Sequence, residues 1–433
     1  MTAAPAASQP APDLAPAAIR RLLDLAARHA LRAIGRVEPN PLVGAALVRP
    51  TADPLAPHLL ALGHHRRFGD IHAEVDALNA ARAAGHNPAG CTMLVTLEPC
   101  NHTGKQPPCT RALLQAGIAH VIIARADTNP VAAGGADTLR AAGIRVTFTS
   151  LSPAAHALAD PFFKRVTSDQ PWVIAKWAQS LDGALAAASG DSKWISSPAS
   201  RFRVHHLRSV VDAVLVGVGT VIADDPALTA RDVPLRRRPL RVILDPRART
   251  PDSAALITTA HQHPTLLLAD PAHLTRARAA ALAAAGVTVD WPAPDTITAQ
   301  GLPAACLALL RARHSVHTLL VEGGPRTHAA FLADNLVDEL HVFTAPLLLG
   351  AHTHAPALPA PPATVAAAHR WRLLRPRALG NDLCANNRRS PPPPPPNRPR
   401  PGPPPEPSAT LTRIQPRSAR LRPARQRPQF RQH

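Results

Sequence analysis

The chain has 433 residues, of which 45% are hydrophobic and 3% aromatic, and it contains no tyrosine. This length suffices for two domains with separate hydrophobic cores. Runs of about 18 apolar residues are absent, so a membrane span is not expected. The five cysteines are an odd number spread over a long chain. That distribution argues against a disulfide framework and favours a reducing, cytoplasmic location.

The formal net charge of +19 raises the question of nucleic-acid binding. More than half of this excess lies in residues 388–433, which hold eleven arginines and one glutamate. The remaining chain is moderately basic; an anionic substrate and cofactor would account for some of its basic residues, and solubility would account for others. We therefore expect no nucleic-acid or membrane partner, and a homo-oligomer is compatible with the sequence.

Apolar spacing typical of helices alternates along the chain with short apolar runs typical of strands. The first series predicts helices at 16–34, 73–84, 109–116 and 136–142, and strands at 43–48, 92–97, 120–126 and 144–149. The second predicts strands at 172–177, 213–217, 241–245, 265–268, 318–322 and 339–344, and helices at 198–209, 274–285, 301–313 and 325–333. Such alternation is typical of layered α/β domains.

The predicted organisation has five segments. They are a disordered leader at 1–15, an α/β domain at 16–150, a linker at 151–170, a second α/β domain at 171–387 and a disordered tail at 388–433. The tail includes SPPPPPPNRPRPGPPPEP, a composition that cannot bury a core. It is either a nucleic-acid or membrane tether or a dispensable extension, and we favour the extension.

Two short segments of the first domain contain a candidate metal site. One is His72-Ala73-Glu74, and the other is PCNHTGKQPPC at 99–109. His72, Cys100 and Cys109 stand where a predicted helix begins or where a loop meets a helix, and the partial positive charge there lowers a thiol's pKa. One imidazole and two thiolates suit a zinc ion with a fourth position open for water. Glu74 is placed to move the water proton, as hydrolytic deamination of an aminated ring requires.

Two alternatives stay open from the residues alone. A structural zinc site requires four protein ligands, and His102 is a candidate for the fourth. The thiols could also be inert, because a single cysteine is usually a small buried hydrophobic residue.

The order of these residues resembles the cytidine and nucleoside deaminase superfamily. Eight residues separate the two cysteines, and this longer gap resembles the deaminase half of the bifunctional bacterial riboflavin-biosynthesis deaminase–reductases. PNPLVG at 39–44, HAEVDAL at 72–78 and DTNP at 127–130 match the same family. The resemblance implies a cytidine-deaminase-like α/β/α sandwich whose base pocket includes Asn40, Val43 and Gly44.

The second domain has no Gly-x-Gly-x-x-Gly segment, so an ordinary Rossmann site is not supported. Glycines do follow two predicted strands, in VGVGT at 216–220 and in VEGGP at 321–325. Glycine at such a position lets backbone N–H groups approach a phosphate at a helix N-terminus. Each segment alone is equally well interpreted as a plain turn.

Four further segments resemble the reductase half of the same family, which is similar in fold to dihydrofolate reductase and uses NADPH. They are KWAQSLDG at 176–183, SKWIS at 192–196, TVIADDPALT at 220–229 and EGGP at 322–325. The resemblance implies NADPH contacts by Ala178, Trp194, Thr220, Asp224 and Gly324. It implies substrate contacts by Ser192, Arg208, Leu228, Arg231 and Glu322, with the two arginines suited to a phosphate.

The resemblance thus implies two successive reactions. Zinc-dependent deamination of 2,5-diamino-6-ribosylamino-4(3H)-pyrimidinone 5′-phosphate would be followed by NADPH-dependent reduction to 5-amino-6-(5-phosphoribitylamino)uracil. One rival hypothesis is a nucleic-acid base deaminase that uses the basic tail. Another is a non-catalytic protein whose zinc is structural. The cysteine gap and the complete second domain favour the bifunctional enzyme.

Overall fold

The computed structural model describes residues 13–129, 131–350 and 362–389. Residues 1–12 of the predicted leader and the predicted tail beyond Arg389 lie outside the described residues, as does Pro130 of the DTNP segment. Among the helices that the structure describes, none is long and apolar enough to cross a membrane.

The helices are described first. They are α1 Pro16–Ala30, α2 Ala73–Ala83, α3 Cys109–Gln115, α4 Gly135–Ala141, α5 Pro153–Ala157, α6 Asp160–Thr167, α7 Pro198–Arg208, α8 Val218–Asp224, α9 Ala255–Thr258, α10 Arg276–Ala284, α11 Pro294–Gln300, α12 Leu302–His314 and α13 Pro325–Ala333. The strands are β1 Gly44–Arg49, β2 His58–His64, β3 Thr92–Val95, β4 His120–Ile123, β5 Arg145–Phe148, β6 Trp172–Gln179, β7 Ala213–Gly217, β8 Leu240–Leu244, β9 Thr265–Leu268, β10 Val287–Asp290, β11 Thr318–Val321, β12 Glu339–Thr344, β13 Trp371–Leu379 and β14 Asp382–Arg389.

The first sheet has the strand order β2-β1-β3-β4-β5. Strand β1 is antiparallel to both of its neighbours, whereas β3, β4 and β5 are parallel. Side chains of β1 alternate between two cores, with Ala45 and Leu47 on one face and Ala46 and Val48 on the other. Helices therefore cover both faces of this sheet, and the predicted α/β/α sandwich is confirmed.

The second sheet has nine strands in the order β10-β9-β8-β7-β11-β6-β12-β14-β13. All pairs from β10 to β12 are parallel, and β14 and β13 complete the sheet in antiparallel orientation. Alternate residues of β6 enter opposite cores, Trp172 and Ile174 in one and Val173 and Ala175 in the other. This arrangement confirms the predicted second α/β domain of the dihydrofolate-reductase-like class.

Both ends of the second domain differ from the expected outline. The segment predicted as a linker, 151–170, contains helices α5 and α6. Strand β14 continues through Arg388 and Arg389, which the sequence assigned to the tail. Arg388 lies in the fold because its guanidinium pairs with Asp160 at 2.7 Å and with Glu339 at 3.2 Å. An arginine next to a proline-rich stretch gives no sequence signal for such half-buried partners.

Candidate functional site

Three side chains that are distant in sequence meet in the first domain. His72 immediately precedes helix α2, and Cys109 is the first residue of helix α3. The Nδ1 atom of His72 lies 3.2 Å from Sγ of Cys109 and 3.4 Å from Sγ of Cys100. The three donor atoms lie within 4.8 Å of one another, and no other such cluster occurs in the described ranges.

The donor set fits zinc in both chemistry and spacing. Zinc–nitrogen and zinc–sulfur bonds in a tetrahedral site place the nitrogen and sulfur ligands about 3.5 Å apart. The distances from His72 to Cys100 and Cys109 are close to this value. Three protein ligands leave one tetrahedral position for a reacting molecule.

The two thiols are electrostatically unequal. The hydrogen bond from Cys109 lowers the pKa of the Cys100 thiol, which therefore carries the thiolate of the pair. The same hydrogen bond, together with burial, raises the pKa of Cys109. The interaction with Cys100 also raises the pKa of His72. A metal cation between these groups would allow both thiols to ionise, because it stabilises two thiolates together with a neutral imidazole.

Glu74 lies in the first turn of helix α2 and is only 3% exposed. Burial raises the pKa of its carboxyl to about 7, and the neighbouring Cys100 thiolate adds to the effect. A carboxyl group with a pKa near neutrality can both accept and return a proton, as a general acid–base requires. Its position two residues from His72 places it beside the donor cluster, whose member Cys109 bonds to it.

A cavity of about 240 Å³ opens beside these residues. Its lining includes His72, Glu74 and Cys100 together with Asn40 and Val43. It also includes Glu98, His102, Lys105, Asp127 and Asn129. The cavity is therefore polar on several sides and large enough for a single heterocyclic ring.

Asn40 is held in the cavity by a histidine that sequence reasoning did not assign. The Nδ2 atom of Asn40 lies 3.2 Å from Nε2 of His65, and Nδ1 of His65 lies 3.0 Å from the carbonyl of Ile71. His65 therefore donates from Nδ1 and accepts from Asn40 at Nε2. Burial lowers the pKa of His65, which keeps the ring neutral for this arrangement. The sequence contained no signal for this pair beyond the presence of two polar residues.

Gly44 differs from its predicted role in the pocket. It is not among the cavity-lining residues, and a Cβ at this position would lie 2.1 Å from the carbonyl oxygen of Ala26. Its backbone N–H donates to Oγ1 of Thr96 at 3.0 Å. The glycine is thus required for the close approach of helix α1 to strand β1.

His102 lines the cavity but is not part of the donor cluster that the described residues form. The alternative of a closed, four-ligand structural zinc site therefore has no support from the geometry. The open arrangement is the one that catalytic zinc sites use.

In the second domain, two glycine-containing strand ends lie side by side. Strands β7 and β11 are parallel neighbours, so the segments after Gly217 and Val321 emerge at the same edge of the sheet. Gly324 caps helix α13, and a Cβ on it would lie 3.5 Å from Oγ1 of Thr220. Backbone N–H groups at this helix start suit a diphosphate, so the site fits a dinucleotide such as NADPH.

The other residues expected to bind the cofactor differ in exposure, since Ala178 and Asp224 are half-buried and Trp194 is exposed. Trp194 is 69% exposed, and the guanidinium of Arg201 lies 4.6 Å from the centre of its ring. The carbonyl of Asp224 accepts a hydrogen bond from Nζ of Lys193 at 3.2 Å. Ala178 lies in β6 and packs against the small cluster around Phe343.

Arg208 and Glu322, both expected to contact substrate, are bound to each other. Nε and Nη2 of Arg208 donate to the two carboxylate oxygens of Glu322 at 2.6 and 3.0 Å. Nζ of Lys176 lies 3.7 Å from the same carboxylate. Burial opposes ionisation of Glu322, but the two cations outweigh it and lower its pKa to about 2. Burial also lowers the pKa of Lys176.

Leu228 and Arg231 flank a loop that the sequence placed against the substrate. The side chain of Leu228 is only 2% exposed and belongs to the domain core, so only its backbone can reach a ligand. Arg231 is exposed, and its Nη1 donates to Oγ1 of Thr229 at 3.3 Å. Arg231 is therefore the arginine of the two that is free of a carboxylate partner among the described residues. Ser192 is half-buried, and its carbonyl accepts from Ile195 at 3.2 Å.

The fold and the two sites define a class of protein. A zinc-type hydrolytic deaminase domain is followed by a reductase domain with a dinucleotide site. Family models match both parts: the cytidine and deoxycytidylate deaminase zinc-binding region at residues 17–125, and the RibD C-terminal domain at residues 171–385.

The chain is similar to the riboflavin biosynthesis protein RibD of Aquifex aeolicus, with 39% identity over 332 residues, 76% of this chain and 88% of the relative. The Escherichia coli protein of that name is 34% identical over 366 residues, 80% of this chain and 92% of the relative. The chain belongs to the RibD family, and it is a bifunctional deaminase and reductase of riboflavin biosynthesis.

Solved structures agree with this assignment. RibD of Acinetobacter baumannii has a TM-score of 0.64 and 33% identity, covering 87% of this chain and all of its own. A Thermotoga maritima diaminohydroxyphosphoribosylaminopyrimidine deaminase/5-amino-6-(5-phosphoribosylamino)uracil reductase has a TM-score of 0.65 and 30% identity, covering 86% of this chain and 99% of its own.

Proposed function

We propose that the first domain deaminates 2,5-diamino-6-ribosylamino-4(3H)-pyrimidinone 5′-phosphate, and that the second domain reduces the ribosyl group of the product with NADPH. The product would be 5-amino-6-(5-phosphoribitylamino)uracil. The observation that carries the proposal is the cluster of His72, Cys100 and Cys109 beside buried Glu74. The same chain contains strand ends near Thr220 and Gly324 that suit a dinucleotide. A cytoplasmic location follows from the need for reduced thiols.

In the first step, His72, Cys100 and Cys109 would hold zinc, which would supply the Lewis acidity that makes water nucleophilic near neutral pH. Glu74 accepts a proton from the attacking water and returns it to the departing amino nitrogen, which leaves as ammonia. Its raised pKa suits both halves of this transfer. The low exposure of Glu74 keeps bulk water from competing for the proton.

Asn40 and Val43 orient the pyrimidine in the cavity. Because the Nδ2 group of Asn40 is bonded to His65, its carbonyl oxygen is available to accept a hydrogen bond from an amino group of the ring. Val43 contributes an apolar surface for one face of the base. The ring is thereby placed with its reacting carbon toward the proton-carrying carboxyl of Glu74.

In the second step, NADPH would supply the hydride when bound, and the role of the chain is to position the ribosyl carbon that receives it. Thr220 and Gly324 form the phosphate end of the cofactor site, and Ala178, Trp194 and Asp224 complete it. Ser192, Glu322 and Arg231 lie on the substrate side, with Arg231 as the ligand for the 5′-phosphate because Arg208 is bound to Glu322. Arg208 instead fixes the position of the Glu322 carboxylate.

The two halves of the proposal are tested on one protein preparation. Zinc content, ammonia release from the diaminopyrimidine phosphate and NADPH oxidation with the deaminated product are measured for the full chain. About one zinc per chain and turnover in both assays are expected. Absence of ammonia release with zinc bound would refute the deaminase substrate. Absence of NADPH oxidation would refute the reductase half independently.

A further inference from the structure

Residues 34–40, here called the junction turn, lie between helix α1 and strand β1 and carry Asn40 into the deaminase cavity. Glu38 closes this turn, because its Oε1 accepts a hydrogen bond from the backbone N–H of Gly35 at 3.1 Å. The backbone N–H of Asn40 donates to the carbonyl of Val37 at 2.9 Å. The placement of Asn40 therefore depends on the conformation of the junction turn.

Arg237 of the reductase domain forms hydrogen bonds with the junction turn. Nη2 of Arg237 donates to Oε2 of Glu38 at 2.8 Å, and Nε donates to the carbonyl of Gly35 at 3.2 Å. Nη1 of the same guanidinium bonds to Asp212. One half-buried arginine thus joins a carboxylate of each domain, and its planar group makes contacts that a lysine could not reproduce together.

Arg237 is itself held rigidly by the reductase core. Oδ2 of Asp212 accepts two backbone N–H groups at the start of strand β11, at 2.9 and 3.0 Å. The backbone N–H of Arg237 donates to the carbonyl of Ser209, just after helix α7, at 2.9 Å. These bonds within the reductase domain therefore fix the position of the Arg237 guanidinium.

The deaminase cavity depends on the junction turn at two points. Asn40 bonds to His65 inside the cavity, and the carbonyl of Arg36 accepts the backbone N–H of Phe68, which also lines the cavity, at 3.0 Å. A shift of the turn would displace both lining residues. Two members of the donor cluster, His72 and Cys109, lie at the starts of helices α2 and α3, outside this turn.

We propose that Arg237, a residue of the reductase domain, is a positioning residue for the deaminase reaction. It acts through Glu38, which sets the junction turn and hence the placement of Asn40 against the pyrimidine. This inference rests on the proposed function, in which Asn40 contacts the substrate. Its consequence is that the reductase domain completes the substrate pocket of the deaminase, although it contributes no group to the donor cluster.

The test uses Arg237→Ala in the full chain. The KM for the diaminopyrimidine phosphate is expected to rise about tenfold, while kcat and zinc content stay within about twofold. Arg237→Lys should give an intermediate KM. The matched control is Arg278→Ala, which removes another reductase-domain arginine of similar exposure that pairs with Asp252, and it should leave KM unchanged.

Glu38→Gln supplies a second route that does not require the arginine variant to fold. It should raise KM to a similar extent, and the double variant should be no worse than the more impaired single variant. An unchanged KM in both single variants, additive effects in the double variant, or an equal rise in Arg278→Ala would overturn the inference. Wild-type protein that binds zinc but releases no ammonia would overturn the proposed function itself.

Discussion

Arg208 and Glu322 form a bidentate pair, with separations of 2.6 and 3.0 Å, at the edge of the nine-stranded sheet. Each residue was expected to contact the substrate, and the structure joins the two side chains to each other. The pair keeps a carboxylate ionised in a buried position, with Lys176 as its second cation. Because charge-assisted, bidentate bonds fix geometry as well as charge, Arg208 controls where Glu322 stands in the reductase site.

Arg208→Ala is therefore expected to lower reductase kcat/KM by about a hundredfold and to leave ammonia release within about twofold. It should also lower the free energy of unfolding by about 3 kcal/mol, because the Glu322 charge loses its bidentate partner. Steady-state NADPH oxidation and urea unfolding are the measurements. Arg313→Ala, which removes an exposed arginine paired with Asp290, is the control and should change neither value appreciably. Equal losses in the two variants would contradict the assignment.

Glu74→Gln preserves the shape of the side chain and removes its ability to carry a proton. Ammonia release should fall by at least about a hundredfold, since positioned acid–base groups contribute on that scale. Zinc content, measured by elemental analysis, should be retained because Glu74 is not one of the three donors. Asp137→Asn, an exposed carboxylate of helix α4, serves as the control. Unaltered ammonia release in Glu74→Gln would remove the assigned role.

Removal of zinc should separate the two activities. Chelation, or Cys109→Ser, should abolish ammonia release and leave NADPH oxidation on the deaminated product intact. The reason is that the donor cluster lies in the domain of the five-stranded sheet. The strand ends near Thr220 and Gly324, which are expected to bind NADPH, belong to the nine-stranded sheet. Restoring zinc to the chelated protein should restore ammonia release. Parallel loss of both activities would show that the metal supports the fold of the whole chain instead.

The cluster around Arg388 predicts both a mutational and a pH effect on stability. Arg388→Ala should lower the free energy of unfolding by about 2–4 kcal/mol, because it leaves Glu339 and Asp160 without this partner. The neighbouring Arg389→Ala, which removes an exposed side chain, should cost less than about 1 kcal/mol. Urea unfolding of the two variants compares them directly, and equal costs would argue against a buried network.

The pH effect concerns Glu339. Burial opposes its ionisation, but Arg388 and His341 lower its pKa to about 2, below its ordinary value of 4.5. A lowered folded-state pKa gives stability that is complete above the unfolded pKa and is lost as pH falls toward the folded value. Between about pH 6 and about pH 3 the wild type should therefore lose about 2 kcal/mol more than Glu339→Gln. Parallel stability curves for the two proteins would contradict the lowered pKa.

The sequence determined the two α/β domains and the chemistry of the first site. Hydrophobic periodicity is a local property, so the main helices and strands could be predicted from it. The donors were also predictable, because His72, Cys100 and Cys109 occur in a recognisable order, with His72 and Cys109 at helix starts, and the structure brings the three together. The family resemblance added the reductase and its cofactor, which no local motif required.

Only the tertiary structure decided which polar groups, distant in sequence, bond to one another. The pairs Asn40–His65 and Arg208–Glu322 and the bridge from Arg237 to Glu38 join residues from 25 to 199 positions apart. Sequence periodicity carries no information on such partners, since many polar residues could satisfy the same charge. Packing decided two other positions: the side chain of Leu228 belongs to the core, and Gly44 lies against helix α1. Close packing leaves each buried atom one set of neighbours, and that set is fixed only when the whole chain has folded.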